Sequence, residues 1–182
     1  GPESLYQGLA VRPFPILVPR AMPALRELPV TAEAVWWVKG QVPQPDLPIY
    51  TRLYDEVLTT APEGAVTEVE ALLQADEGVT VVRTTDGLDT AFTLDFGRIF
   101  SGYPCFEIEA QGGEVIEIGC TERLPGEWGE GVDPHARIER RPYLGTDAHL
   151  ARYVARPGVQ RFQKFEWCAI RYMLIVVRNA TR

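Results

Sequence analysis

Lysine, histidine and cysteine are scarce in this chain. Only Lys39 and Lys164 among its 18 basic residues are lysines, and there are two histidines and three cysteines. The net charge is −7 over 182 residues. Phosphate recognition needs clustered Lys and Arg, so this balance argues against nucleic acid as a partner. No apolar run approaches the ~20 residues that span a bilayer, and the N-terminus has no signal-peptide pattern. No membrane contact is expected, and the compartment stays open. Gly1-Pro2 resembles the scar of a cleaved tag, so the chain is expected to be a piece of a longer protein. Cys105, Cys120 and Cys168 have neither the number nor the spacing of a zinc site, and all three are expected to be free thiols. No nucleophile–base pair can be assembled from the motifs.

Strands are what the chain does have. Phe106, Ile108 and Ala110 alternate with Glu107 and Glu109, and Ile116 and Ile118 flank Glu117. Such period-two alternation marks half-buried strands. Gln111-Gly112-Gly113 separates the two runs, and glycine supplies the positive φ of a short loop. A β-hairpin is predicted, with Ala110 opposite Glu114, Ile108 opposite Ile116 and Phe106 opposite Ile118. In that register the glutamates, Glu117 included, face solvent, and Cys105 and Cys120 lie on opposite faces. Further strands are predicted at Ala34–Val38, Val79–Thr84, Thr90–Phe96, Leu150–Val154, Val159–Glu166 and Ile170–Val177, with a weaker one at Ile49–Leu58 and a short helix within Pro62–Asp76. The last run is apolar on both faces, as in a strand covered on both sides. Short strands joined by Gly/Pro turns, with little helical periodicity, indicate an all-β antiparallel β-sandwich of jelly-roll type.

Residues 1–62 hold ten of the fifteen prolines. Proline removes a ladder donor and drives its predecessor to extended conformations. The segment is therefore expected to be an extended leader that straps across the sandwich or bridges to a preceding domain, with residues 63–182 forming the sandwich module.

The candidate binding residues fall on the long stretch Leu124–Tyr143, which carries three Gly and three Pro. Loops of that length in a compact domain are usually functional. Trp128 offers a flat apolar face on which a pyranose can stack, with Glu127, Glu130, Asp133 and Arg137 as hydrogen-bonding neighbours. Glu127 and Glu130 lack the burial and fixed separation of a glycosidase carboxylate pair, so no catalytic residue is assigned. Calcium is the ion such oxygen donors would take, but no D-x-D-x-D-G loop is present and no metal ligand is assigned. Of Trp36 and Trp37 one is expected in the core and one outward or under the strap, while Trp167 is expected to plug the sandwich. Asp95 is expected to cap a turn, and Arg171 to pair with Glu122 or Glu166 at the sheet rim.

Several motifs in order resemble one known module. Asp95-Phe96-Gly97, Gly102-Tyr103, the Gly112-Gly113 turn and Thr121-Glu122-Arg123-Leu124 resemble the β-sandwich of bacterial α-L-rhamnosidases. So do Phe165-Glu166-Trp167 and Ile170-Arg171-Tyr172 near the C-terminus, and Arg12-Pro13-Phe14-Pro15 with Pro19-Arg20-Ala21-Met22-Pro23 in the leader. The match covers about the last ninety residues well and the leader loosely. Ala169 departs from it where the family often has Gly, and Pro125–Tyr143 follows none of its patterns. The resemblance implies an accessory module beside an (α/α)6 catalytic domain of the same chain, with the catalytic carboxylates on that barrel. The expected role is thus non-catalytic binding of a glycan, rhamnose-bearing in this family. The alternative is a purely structural module supporting the barrel without binding sugar.

Overall fold

The computed structural model describes residues 26–49, 53, 58–74, 78–122 and 149–181. They form antiparallel strands β1 (Ala34–Gln41), β2 (Leu58–Thr60), β3 (Val66–Thr67), β4 (Val81–Val82), β5 (Asp89–Gly102), β6 (Cys105–Ala110), β7 (Val115–Thr121), β8 (His149–Val154), β9 (Gly158–Gln163) and β10 (Cys168–Arg178). The expected helix is one short 3-10 turn, Val69–Leu73. A six-stranded sheet runs in the order β2-β1-β5-β10-β7-β8, and β6 and β9 form a small sheet facing it. The remaining pair is β3-β4. The structure is the antiparallel β-sandwich indicated by the strand pattern, and residues 34–41 and 58–60 of the Pro-rich segment supply two strands of its large sheet.

The hairpin expectation is corrected. β6 pairs with β9, Ile108 lying opposite Gln160, whereas β7 lies between β10 and β8 in the other sheet. Gln111-Gly112-Gly113 therefore carries the chain across the sandwich rather than back along itself. β8 and β9 cross beside it, so one ribbon, β6–β7 paired with β8–β9, bends from the small sheet into the large one. Gly113 N donates to Ala155 O (2.9 Å) and Ala155 N to Glu114 O (2.8 Å). Gly112 and Gly113 have φ of 104° and 96°, and a Cβ on Gly112 would stand 2.9 Å from the Pro157 ring. Positive φ is present as predicted, but a loop that needs it serves a crossing as well as a reversal. The Glu114 carboxylate accepts from Gln111 N (2.8 Å) and Gly112 N (2.7 Å).

Two apolar layers result. Between the sheets, Phe92, Leu94, Ile116, Ile118, Cys120, Cys168 and Met173 are buried, with Phe106, Ile108, Tyr153 and Phe162 packed half-buried against them. Phe106 stacks on Phe162 with ring centroids 5.1 Å apart. The outer face of the large sheet has its own cluster, Trp37, Leu53, Ala91, Leu174 and Val176, flanked by Trp36, Ile49 and Leu58. The β1–β5 register slips between Val35 and Trp37. That bulge breaks the strict alternation expected of the two indoles, so Trp36 packs against the same outer cluster as Trp37.

Because the outer face is covered, Glu117 is not the solvent-facing residue that alternation suggests. It is 0% exposed. Its cross-strand partner is Val176, which puts both side chains on the outer face. Arg178 Nε donates to Glu117 Oε2 at 2.9 Å, and its Nη1 bonds the buried Asp89. Arg152 approaches Glu117 at 3.6 Å. A buried carboxylate persists only when paired in this way. Glu117→Ala is expected to cost about 1–3 kcal/mol in urea denaturation, since it removes one of the two buried carboxylates that Arg178 bonds and leaves Asp89 as its partner, while exposed Glu109→Ala stays within about 0.5 kcal/mol.

The corner yields an acid-stability prediction. Partial burial pushes the Glu114 carboxyl up, but the backbone N–H bonds outweigh it, and the group sits below its ordinary 4.5. A lowered folded value means the stabilisation is present above the unfolded value and is lost as pH falls through the folded one. Glu114→Gln should lower stability at pH 7 by about 1 kcal/mol and flatten the acid limb of a melting-temperature profile.

Candidate functional site

Topology gathers three connections at the end of the sandwich opposite the corner. β6 begins there at Cys105, β7 ends at Thr121, β8 begins at His149 and β9 ends at Gln163. The turns 103–104 and 164–167 are held side by side, because Lys164 N donates to Pro104 O (2.9 Å) between the pairs Cys105↔Gln163 and Cys168↔Gly102. Three aromatic side chains project from these turns: Phe165 is 101%, Trp167 59% and Tyr103 37% exposed. Trp167 does not plug the sandwich as expected. Tyr172 and Ile170, both on β10, are the large side chains buried near that end of the strand.

An ion pair lies at these turns. Lys164 Nζ lies 2.8 Å from Glu166 Oε2, with the lysine side chain 11% exposed and the glutamate in solvent. The lysine hydrogen bond, then its charge, hold the Glu166 carboxyl below its ordinary range, and His149 adds to the effect. Cys168, the residue after Trp167, is buried, as is Cys120 near the end of β7. Both belong to the cluster between the sheets, and Cys168 Sγ lies 3.8 Å from Glu166 O. The neighbouring Cys168 thiol, then burial, push the Cys120 thiol well up, while Cys120 lowers the Cys168 thiol against the opposing effect of burial. Cys105 is exposed, and all three are free thiols.

On the rim nearby, β5 leaves its partner in a wide bulge: β10 pairs Tyr172 with Asp95, then Ile170 with Phe100. Asp95 Oδ1 accepts from Gly97 N at 2.7 Å, the turn-capping role expected of it, and Gly97 has φ of 73°. Arg171 pairs with Asp95 (Nε–Oδ1 3.6 Å) rather than with Glu122 or Glu166, since the bulge places Asp95 beside it. Its guanidinium also lies 4.9 Å from the centroid of the Tyr172 ring.

No family model matches the chain, and no curated protein matches it. Among solved structures it is similar to the GH78 family rhamnosidase of Bacillus sp. GL1, at 24% identity and a TM-score of 0.47 over 70% of this chain. The match covers 12% of that protein's own length.

Trp128, Glu127, Glu130, Asp133 and Arg137 lie outside the described residues. Their flanks do not: Glu122 follows the end of β7 and His149 opens β8, both at the aromatic end. Among the described residues no group of three or more His, Cys, Asp or Glu is placed to hold a metal. The aromatic end itself was readable only in part. Aromatics in Phe165-Glu166-Trp167 were visible, but alternation does not tell which way a turn points them.

Exposure separates the two tryptophan roles by experiment. Trp167→Ala should leave thermal stability within about 0.5 kcal/mol of the parent, while Trp37→Ala loses about 3–5 kcal/mol.

Proposed function

We propose that this chain is a non-catalytic β-sandwich module of a rhamnosidase-like glycoside hydrolase, and that it binds a carbohydrate at its aromatic end. The observation that carries the reading is the placement of Tyr103, Phe165 and Trp167 in solvent on two turns pinned to each other. A pyranose presents C–H groups on one face and hydroxyls around its edge. The first pack on an aromatic plane, and the second need fixed donors and acceptors beside it. Glu166 and Lys164 supply those at the same turn. The segment carrying Trp128, Glu127, Glu130, Asp133 and Arg137 starts and ends at this end of the sandwich, and this reading assigns it the rest of the glycan contacts. A rhamnose-bearing glycan and a neighbouring catalytic domain are the partners that the motif resemblance favours. The reading gives the module no catalytic residue and no cofactor.

Phe165 favours a second reading. A fully exposed ring without a polar atom suits a protein contact better than a sugar edge, so the same end also fits a structural module docked against a neighbouring domain.

Calorimetric titration with rhamnose-bearing oligosaccharides distinguishes them. Carbohydrate binding predicts a Kd of about 10 µM to 1 mM, equivalent to roughly 4–7 kcal/mol, that Trp167→Ala abolishes. The absence of heat with every plant and bacterial glycan tried would leave the docking reading. Turnover of an aryl rhamnoside by the isolated chain would contradict both.

A further inference from the structure

We propose that the carbohydrate lies along the outer face of the β5–β10 ribbon, in a groove running from Tyr103 and Trp167 to the Asp95–Arg171 ion pair, and is therefore an oligosaccharide rather than a single sugar. The inference rests on the carbohydrate reading and adds the ligand's position and length. β1 makes its last pair with β5 at Ala34↔Asp95, and β7 its last with β10 at Thr121↔Tyr172. Beyond those pairs β5 and β10 continue as a two-stranded ribbon through Ile170↔Phe100, Ala169↔Ser101 and Cys168↔Gly102. Cys168 and Ile170 are buried between the sheets with Phe100 packed against them, so Ser101 and Ala169 face the other way. The same alternation carries the exposed Tyr103 and Trp167 onto that outer face, two residues further along each strand.

Three tiers of side chains make the groove. The two aromatics stand at one end. Ser101, exposed, and Ala169, half-buried, form a low floor because both side chains are small. At the other end the wide bulge of β5 gathers polar groups. Asp95 pairs there with Arg171, whose side chain is 30% exposed, and the Glu33 carboxylate fills the space that a Cβ on Gly97 would take. Trp36, its ring centroid 4.8 Å from that of Tyr172, marks where the covered part of the outer face begins. A sugar hydroxyl both donates and accepts, and a guanidinium beside two carboxylates meets either role. Asp95 offsets the Arg171 charge, so this tier offers hydrogen bonds to a neutral chain. The aromatic tier offers packing to the C–H face of a ring. Four residues separate Trp167 from Arg171, about 13 Å of strand, which is longer than one pyranose. A single sugar touches one tier; a chain of two or more units touches both.

The test titrates the chain with L-rhamnose, a rhamnose disaccharide and a rhamnose tetrasaccharide, by calorimetry and by backbone amide NMR. The tetrasaccharide should bind about tenfold or more tightly than rhamnose, and should shift the amides of Ser101, Ala169 and Arg171 together with that of Trp167. Arg171→Lys keeps a cation beside Asp95 but removes the planar fork, and should weaken the tetrasaccharide about tenfold while leaving rhamnose unchanged. Ser101→Leu raises the floor at an exposed strand position, and should weaken the tetrasaccharide by a similar factor with the melting temperature unchanged. Equal affinity for rhamnose and the tetrasaccharide, or amide shifts confined to turns 103–104 and 164–167, would overturn the groove and leave sugar binding at the aromatic end standing. Tetrasaccharide binding that tolerates both substitutions would do the same. Neither heat nor shifts with any of the three ligands would remove the carbohydrate reading and this inference together.

Discussion

A single bent ribbon joins the two sheets, and the corner where it bends constrains everything else. A strand pair that changes sheet interrupts its own ladder, which leaves backbone donors and acceptors to be satisfied locally. Here Gly113 and Glu114 bond Ala155 across the bend, Glu114 takes the amides of Gln111 and Gly112, and Gln160 serves the other strand. Gln160 accepts from Arg156 N (2.9 Å) and Tyr153 Oη (2.7 Å) and donates to Gly158 O (3.0 Å). With the corner fixed, the register of β6 with β9 carries into that of β7 with β8 after a shift of one residue. Both inner faces are then set together, which is why Phe106 and Phe162 meet Tyr153 from opposite sheets.

The strands were legible in the sequence because alternation is a local property. Which strand each one pairs with was not. Phe106-Glu107-Ile108 and Ile116-Glu117-Ile118 read as two arms of a hairpin because a glycine loop flanked by alternating runs looks the same in a reversal and in a crossing. The deciding contacts, β9 for one arm and β10 for the other, come from residues far along the chain. Glu117 was misread for a related reason. Alternation shows that a residue faces away from its neighbours, not whether something else covers that side. Only a distant cation on the same face, Arg178, reveals that a carboxylate there is internal. The glycan-binding residues expected between Leu124 and Tyr143 fall outside the described residues, while the exposed aromatics at 103 and 165–167 were missed because turn geometry, not pattern, orients them.

The buried ion group shows what it takes to cover a sheet on both faces. Asp89, Glu117 and Arg178 sit on β5, β7 and β10, three adjacent strands, on the side where Leu53 and Trp37 exclude water. Such groups are poor sources of net stability, since desolvation offsets most of the attraction. Their effect is on register. A slip of β10 by one residue against β7 would send Arg178 to the inner face and leave two carboxylates without it. The apolar residues Leu174 and Val176 could tolerate neighbouring partners. The guanidinium cannot.

Among the described residues, these constraints leave the turns at one end of the sandwich as the exposed aromatic surface. The inner face is filled by its own core, the outer face of the large sheet is covered by residues of the Pro-rich segment, and the corner is closed by hydrogen bonds. Exposed aliphatic side chains such as Leu28, Val79 and Val159 are scattered over separate elements, as on any protein surface. Among the described residues the large exposed aromatics are not scattered: Tyr103, Phe165 and Trp167 sit on two adjoining turns. Beside them Lys164 and Glu166 cancel each other's charge, in a chain whose net charge is −7. An anionic ligand would meet repulsion from the net charge of the chain, and Lys164, the lysine at these turns, is already paired with Glu166. The proposed ligand, a sugar ring with one apolar face and a hydroxylated edge, is neutral and does not meet that repulsion.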